Sequence, residues 1–347
     1  MCIMNTLNNV IWRMTQHFLL SAEARTLSVR RIMDLSDRGA FDLFRECRWG
    51  DADPVCPMCG VVDKHYFLES RQQWRCKHCV HTFSVTSGTI FANHKLPLKV
   101  YLAAVALFTN AVKGMSALQL SRDLGVQYKT AFVLAHKIRE ALMCARDEDQ
   151  LAGEVHMDGA YVNGHIREKN KIENRVDRRL AKHQKPGKRC VFVMRQKGAD
   201  GTGADKTRTF VLKSENQASV QMLASKHITR GSVICADEAN AYDGLPAMFD
   251  TRRVNHQREY RAYDGTTNNL AESYFSRFRR MQYGQNHKFG NLYLGNYANE
   301  AAYREDTRRW ANGKIFWDIA TKCAKTRPHR DWCGYWQGNK RDAENSF

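Results

Sequence analysis

The sequence predicts an α/β protein in which a mixed-sheet domain follows a small metal-binding module and a helical segment. Three observations support this order: two cysteine pairs before residue 80, helical patterns from about residue 96, and alternating strand and turn patterns from about residue 151. With 347 residues and 43% hydrophobic content, the chain is long enough for two or three domains with packed cores.

The first element is a pair of Cys-x-x-Cys motifs, "CPMCG" and "CKHC". Each motif makes a tight turn that points two sulfurs at one centre, and two such turns complete a tetrahedron of thiolates around Zn²⁺. A redox dithiol needs only one pair, so we predict a structural zinc ribbon in the region 32–95. A closed four-sulfur site leaves no position at the metal for the nearby His78 and His81, so neither is expected to be a ligand. The predicted ligands are Cys56, Cys59, Cys76 and Cys79. The other seven of the eleven cysteines lack a disulfide-framework spacing and are expected to be reduced.

The second element, residues 96–150, has helical patterns. Pro97 suits a first helical turn, Ser116 suits a helix cap, and Gly125 suits a turn before a second, longer helix. This pattern favours a helix-turn-helix whose second helix enters a DNA major groove, and a plain helical hairpin in a bundle is the alternative. The positions expected to point outward from the second helix are Gln127, Lys129, Thr130, Val133 and Lys137.

The third element, residues 151–312, begins with a predicted strand pair, "EVHMDGAYVNGHI", which has Asp158 near its middle. Two strands joined by a glycine-rich hairpin turn follow, then the helix "NQASVQMLASKHI" and a strand that ends at Asp237. A further strand, "RRVNHQREYR", precedes a helix that contains Glu272. This order of elements favours an RNase H-like domain, in which the first and fourth strands are neighbours and the late helix packs across them.

In that topology the three acids Asp158, Asp237 and Glu272 meet at one edge of the sheet. Carboxylate oxygens select Mg²⁺ or Mn²⁺, and two such ions about 4 Å apart can clamp a phosphodiester. Asp237 is preferred as the second acid because it ends an apolar strand, where a side chain is held rigidly. The competing acids are Glu154, Glu238, Asp243 and Asp264.

The charge of the chain indicates a partner with many phosphates. Lys and Arg number 54 against 36 Asp and Glu, a formal net charge of +18. The insertion 167–189 is especially basic and is expected to contact DNA phosphates, a solvated loop being the alternative. The longest apolar stretch, Leu98 to Val112, is shorter than the roughly 20 residues of a membrane span. We therefore expect a cytoplasmic protein that associates with the nucleoid when it binds DNA.

Several of these motifs together resemble the IS1595 family of ISXO2-like insertion-sequence transposases. The resemblance runs from about Ile32 to Trp310 and includes "RCKHCVHTFSVTSGTIFANHKLPLKVYL", "DGAYVNG" and "TNNLAESYFSRFRR". It implies an N-terminal zinc ribbon, a helical DNA-binding segment and a DDE-type RNase H-like domain. Such an enzyme binds terminal inverted repeats, cuts the transposon ends and joins them to target DNA.

The resemblance also assigns site residues. The first acid is Asp158, the second is Asp237, and the third position lies in "NNLAE", where Asn269 and Glu272 are both available. Many relatives have Glu after the first acid, where this chain has Gly159. A trailing basic residue corresponds to Arg279 or Arg280 and steadies the phosphate of the cut strand. The expected DNA contacts are Lys129, Thr130, Lys137, Arg280 and Arg304.

Joining two transposon ends requires two active sites, so a homo-oligomer assembled on DNA is expected. Residues 1–31 are predicted to be a variable extension and residues 313–347 a C-terminal tail. Two alternatives remain open at this point: a non-catalytic zinc-ribbon and helix-turn-helix regulator, and an RNase H-like nuclease that cuts without strand transfer.

Overall fold

The computed structural model describes residues 18–163, 169–176, 187–201, 203–254 and 267–344. Most of the basic insertion 167–189, the end of the predicted strand "RRVNHQREYR" and Asp264 lie outside these residues. Within the described part of the chain, no helix is both long enough and apolar enough to cross a membrane.

The zinc-ribbon region combines two helices with a small antiparallel sheet. The helices are α1 (Val29–Met33) and α2 (Asp37–Trp49), and the strands are β1 (His65–Leu68), β2 (Gln73–Cys76) and β3 (Thr82–Phe83) in the order β1-β2-β3. Ser36 caps α2 by accepting a hydrogen bond from the Gly39 N–H at 3.0 Å. Phe41 of α2 stacks on Trp74 of β2 with ring centroids 5.5 Å apart, which joins the helix to the sheet.

The helical segment consists of α3 (Leu98–Asn110), α4 (Ala117–Leu124) and α5 (Tyr128–Cys144). Its predicted caps are confirmed: the Ser116 hydroxyl accepts from the Gln119 N–H at 3.1 Å, and Gly125 ends α4 in the left-handed conformation at φ 64°. The outward placement of Val133 and Lys137 is wrong, because both side chains are buried. Later helices cover this part of α5, and their packing is not visible in the local pattern.

A five-stranded mixed sheet forms the other half of the fold. Its strands are β4 (Glu154–Val162), β5 (Arg189–Lys197), β6 (Ala204–Leu212), β7 (Val233–Asp237) and β8 (Asp250–Val254). They lie in the order β6-β5-β4-β7-β8; β4, β5 and β6 are antiparallel, whereas β7 and β8 run parallel to β4. The prediction that the first and fourth strands of this sheet are neighbours is confirmed, because β4 pairs with β7. The predicted strand pair around Asp158 is wrong, because this segment forms one strand that pairs with β5 along nearly its whole length.

Helices cover both faces of this sheet. Helix α6 (Gln217–His227) packs on the face that carries Met157 and Phe192, whereas α7 (Asn269–Met281) and α8 (Leu294–Asp306) pack on the face that carries Val191 and Val193. The alternation of side chains along β5 places its apolar residues on both faces. The sheet is therefore buried between two helical layers, and polar groups collect where its strands end.

The stretch after residue 312 is not a separate tail. It forms α9 (Asn312–Lys325) and α10 (Arg330–Cys333), and it packs into the same hydrophobic core as α2, α3 and α5. Beyond α10, Arg341 pairs with the buried Glu140 of α5 at 2.7 Å. Residues from the two ends of the chain thus complete one core.

Candidate active site

Asp158 and Asp237 lie on adjacent parallel strands at the same edge of the sheet. The pairing of β4 with β7 ends at His156 and Cys235, and each aspartate lies two residues further along its strand. A step of two residues returns to the same face of a strand, so both carboxylates leave the sheet on one side. Each is half-buried.

The electrostatics of this edge are dominated by repulsion between acids. Burial and the neighbouring Asp237 carboxylate, followed by Glu215 and Glu272, raise the pKa of Asp158 to about 7. The Gly159 N–H opposes this rise by donating to Asp158 Oδ1 at 2.8 Å. Four carboxylates therefore share one local field, and a nearby cation would relieve their repulsion.

Glu215 is the member of this cluster that the sequence analysis missed. It lies between β6 and α6, where the Tyr242 hydroxyl donates to its Oε1 at 2.5 Å and its own N–H donates to the Tyr161 hydroxyl at 3.1 Å. Burial and Asp237 raise the pKa of Glu215. The same signal that favoured Asp237, an acid just after an apolar strand, is present in "FVLKSE".

The Glu215 carboxylate occupies the space beside Gly159. A Cβ atom added at Gly159 would overlap the Glu215 carboxylate. The space next to the first acid, which a side chain at position 159 would occupy, is filled by an acid from another loop. This chain therefore keeps a second carboxylate beside Asp158 even though it departs from the family pattern.

The N-terminus of α7 brings the third candidate position to the same edge. Asn268 is 1% exposed, and its Nδ2 donates to the Met157 carbonyl at 3.0 Å, next to Asp158. Asn268 Oδ1 is buried without a hydrogen-bond partner among the residues that the structure describes. Glu272 and Asn269 are both exposed in the first turn of the helix. Asn268 thus positions α7, and the choice between Asn269 and Glu272 stays a prediction.

A buried arginine fixes α7 to the sheet from below. Arg195 of β5 is 1% exposed and donates to the Leu270 carbonyl at 2.7 Å and to the Ser273 hydroxyl at 2.8 Å. The same guanidinium lies 3.5 Å from the carboxylate of Glu305 on α8. These contacts determine how close the first turn of α7 comes to Asp158.

The predicted basic contacts fall into two groups. Arg279 and Arg280 are exposed, about 10–12 Å along α7 from Glu272. Arg304 instead pairs with Glu300 at 2.8 Å and donates to the backbone carbonyls of Phe108 in α3 and Ala111 just after it. Lys137 is buried in the helical core. The structure therefore gives Arg304 and Lys137 roles in packing rather than a place on an open surface.

At the start of α5, Lys129 and Thr130 remain within reach of solvent. Lys129 is exposed, with its ammonium 4.5 Å from the ring centre of Trp336, and Thr130 is half-buried. Beyond this first turn, the side chains from Val133 to Leu142 are buried. The first turn of the helix is thus available to a partner, as are its last two residues, Met143 and Cys144.

The four predicted zinc ligands converge in the ribbon. Their sulfurs all lie within 4.8 Å of one another, with 3.6 Å between Cys56 and Cys79 and 3.7 Å between Cys59 and Cys76. A tetrahedral site with Zn–S bonds of 2.3 Å requires sulfurs about 3.8 Å apart. Each knuckle closes on a residue with positive φ, Gly60 and Val80. The cysteines therefore fit structural zinc.

Comparison with known proteins agrees with this arrangement. The ISXO2-like transposase domain family matches residues 150–306, and the transposase zinc-ribbon domain family matches residues 35–82. The chain is also 25% identical over 217 residues to a Halobacterium salinarum protein described as an uncharacterized protein in transposable element ISH50; this alignment covers 61% of the present chain and 70% of that protein. The chain thus carries a transposase zinc-ribbon domain and an ISXO2-like transposase domain of the IS1595 type.

Proposed function

We propose that this transposase binds the terminal inverted repeats of its element, cleaves phosphodiester bonds at the element's ends and transfers the strands to target DNA. The observation that carries the proposal is the convergence of Asp158, Asp237 and Glu215, with Glu272 close enough to raise the pKa of Asp158. This acid cluster lies on a chain of net charge +18, which suits a polyanionic substrate.

The sheet supports an RNase H-like assignment for the catalytic domain. Its order, β6-β5-β4-β7-β8, places three antiparallel strands beside two parallel ones, as that topology requires. The acids of β4 and β7 leave adjacent parallel strands where β7 ends.

The donor set suits hard divalent cations. Carboxylate oxygens favour Mg²⁺ or Mn²⁺ over zinc, and their mutual repulsion is relieved by positive charge. When bound, such cations lower the pKa of an attacking water or 3′-hydroxyl and stabilise the leaving oxygen. We assign the cation-holding role to Asp158, Asp237 and Glu272, with Asn269 as the rival of Glu272 and with Glu215 as an additional carboxylate.

The surrounding residues orient these carboxylates. The Gly159 N–H holds one oxygen of Asp158, and the Tyr242 hydroxyl holds one oxygen of Glu215. The Asn268 amide ties the first turn of α7 to β4. Because these contacts come from the backbone or from buried side chains, the acids are held in place before DNA binds.

We assign DNA binding to exposed cations on two elements. Lys129 and Thr130 lie at the start of α5, the part of a recognition helix that meets base edges, and Arg279 and Arg280 lie along α7 beyond the acids. The arginines would hold phosphates of the strand being cut. Since two ends are joined, we propose a homo-oligomer assembled on DNA.

Cleavage assays on the element's own DNA ends test the proposal. Asp237→Asn should bind an end duplex as tightly as the wild-type protein and lose Mg²⁺-dependent cleavage and joining. Asp243→Asn is the matched control, because Asp243 is a nearby acid that pairs with Arg253. Cleavage at the wild-type rate by Asp237→Asn would refute the mechanism. Cleavage without joining by the wild-type protein would favour a nuclease, and binding without cleavage a regulator.

A further inference from the structure

A cavity of about 290 Å³ opens where the end of α3, the C-terminal half of α7, α8 and the start of α9 meet. Its walls are largely apolar, including Met281, Ala301, Trp310 and Ile319. Ligand pockets in proteins begin at about 300 Å³, so the space suits one small group rather than a helix or a duplex.

The lining of the cavity is strongly basic. Among the described residues, six cationic side chains line it against one acid, Glu305: Arg25, Lys113, Arg277, Arg280, Arg304 and Arg308. Glu305 is buried and is neutralised by the guanidinium groups of Arg195 and Arg277. Lys113 and Arg280 are exposed and have no ion-pair partner within the described ranges. The cavity therefore carries positive charge that the described acid of its lining does not neutralise.

One part of the cavity wall is aromatic. Trp310 lines the cavity and is half-buried. Aromatic side chains are surfaces on which unstacked bases stack. The wall thus combines aliphatic surface with an aromatic ring.

The cavity and the acid cluster are connected through α7. Glu272 lies in the first turn of this helix, and Arg280, eight residues later, lies at the mouth of the cavity. Eight residues of α-helix span about 12 Å. Stacked nucleotides of one strand are spaced about 3.4 Å apart, so this distance corresponds to three or four nucleotides.

From these observations we propose that the cavity takes up one unstacked nucleotide of a DNA strand that passes the acid cluster. The base enters the apolar space and stacks on Trp310, and its flanking phosphates meet Lys113 and Arg280. Burying an unstacked base between apolar and aromatic side chains while cations hold the backbone is a general mode of strand recognition. The inference rests on the proposed DNA-processing function.

Single-stranded probes test the pocket directly. The full-length protein is titrated with an octamer of thymidines and with an abasic octamer of equal charge, and binding is followed by fluorescence anisotropy. We expect the wild-type protein to bind the thymidine octamer about tenfold more tightly, since base stacking has an effect of this order. An octamer containing 5-iododeoxyuridine should cross-link by light to the peptide that carries Trp310.

Three variants separate the contributions. Trp310→Leu should bring the two affinities close together, because it replaces the aromatic side chain of the cavity wall, and its melting temperature checks that the variant is folded. Arg280→Gln should weaken binding of both octamers by the same factor, because it removes a phosphate contact. Arg230→Gln, which removes an exposed charge that does not line the cavity, should change neither affinity by more than about twofold.

The outcomes distinguish this inference from the function on which it rests. If the protein binds the element's end duplex but shows no preference for bases, or if cross-links map elsewhere, the pocket is wrong and the DNA function stands. An unchanged base preference in Trp310→Leu would also overturn the assignment. If neither the octamers nor the end duplex bind, the proposed function itself fails.

Discussion

The raised pKa of Asp158 makes the stability of the protein depend on pH in a way that a divalent cation should cancel. In the unfolded chain this carboxyl loses its proton near its ordinary pKa of 3.8, whereas in the folded protein the pKa is about 7. Folding therefore disfavours the ionised form, and stability falls as pH rises from about 4 to about 7 and is constant above that.

The magnitude follows from the size of the pKa change. Each pH unit between the two pKa values costs about 1.4 kcal/mol, so Asp158 alone should lower stability by about 2 kcal/mol between pH 5.5 and pH 7. For a domain of this size, 2 kcal/mol corresponds to a change in melting temperature of about 4–8 °C. Saturating Mg²⁺ should restore most of this loss, because the cation favours the ionised carboxylates.

The assay is thermal unfolding between pH 5.5 and 8, with and without Mg²⁺. Asp306 has a pKa that burial also raises to about 7, but it lies on α8 beside Thr207 and contributes equally to both curves. The difference between the curves therefore isolates the acid cluster. Asp158→Asn should show a much smaller Mg²⁺ effect that barely varies with pH. A wild-type Mg²⁺ effect that is constant across this range, or that equals the effect in Asp158→Asn, would refute the reasoning.

Four further predictions concern single residues. Glu215→Gln keeps the neighbouring tyrosine within hydrogen-bonding distance and should slow Mg²⁺-dependent cleavage by about 10–100-fold without changing DNA affinity, as gel assays would show. Asn268→Leu should destabilise the protein by about 1–3 kcal/mol in urea unfolding, because a buried carbonyl loses its donor. Arg195→Met should cost about 3–5 kcal/mol, since it leaves the buried Glu305 short of one cation. Cys76→Ser should lower the zinc content from about one ion per chain, measured by metal analysis. Wild-type cleavage by the first variant, wild-type stability in the second or third, or zinc-free wild-type protein would each contradict the corresponding assignment.

The sequence was most informative where chemistry depends on local spacing. The two Cys-x-x-Cys motifs fixed the ribbon ligands, because each knuckle is a self-contained turn. Ser116 and Gly125 marked the limits of α4 because caps depend on residues within one helical turn. The adjacency of β4 and β7 was expected because the order of strand and helix patterns resembles that of an RNase H-like domain.

Long-range packing accounts for the rest. Lys137 is buried because helices far along the chain cover it. In the same way, α9 packs into the core of α2, α3 and α5, from which it is distant in sequence. Glu215 joins the acids only because the loop after β6 folds over Gly159, and a glycine in the sequence does not reveal what fills its space. Lys137, α9 and Glu215 can therefore be placed only from the three-dimensional structure, whereas the local motifs are recognisable in the sequence.

We propose that the carboxylates of β4, β7, α7 and the loop before α6 form one divalent-cation site. Electron paramagnetic resonance of Mn²⁺ in the presence of an end duplex tests this site, because the structural zinc is silent in that measurement. We expect about two Mn²⁺ ions per chain in the wild-type protein, and loss of at least one of them in Asp158→Asn and in Asp237→Asn, with DNA still bound. Equal Mn²⁺ binding by the wild-type protein and both variants would contradict it.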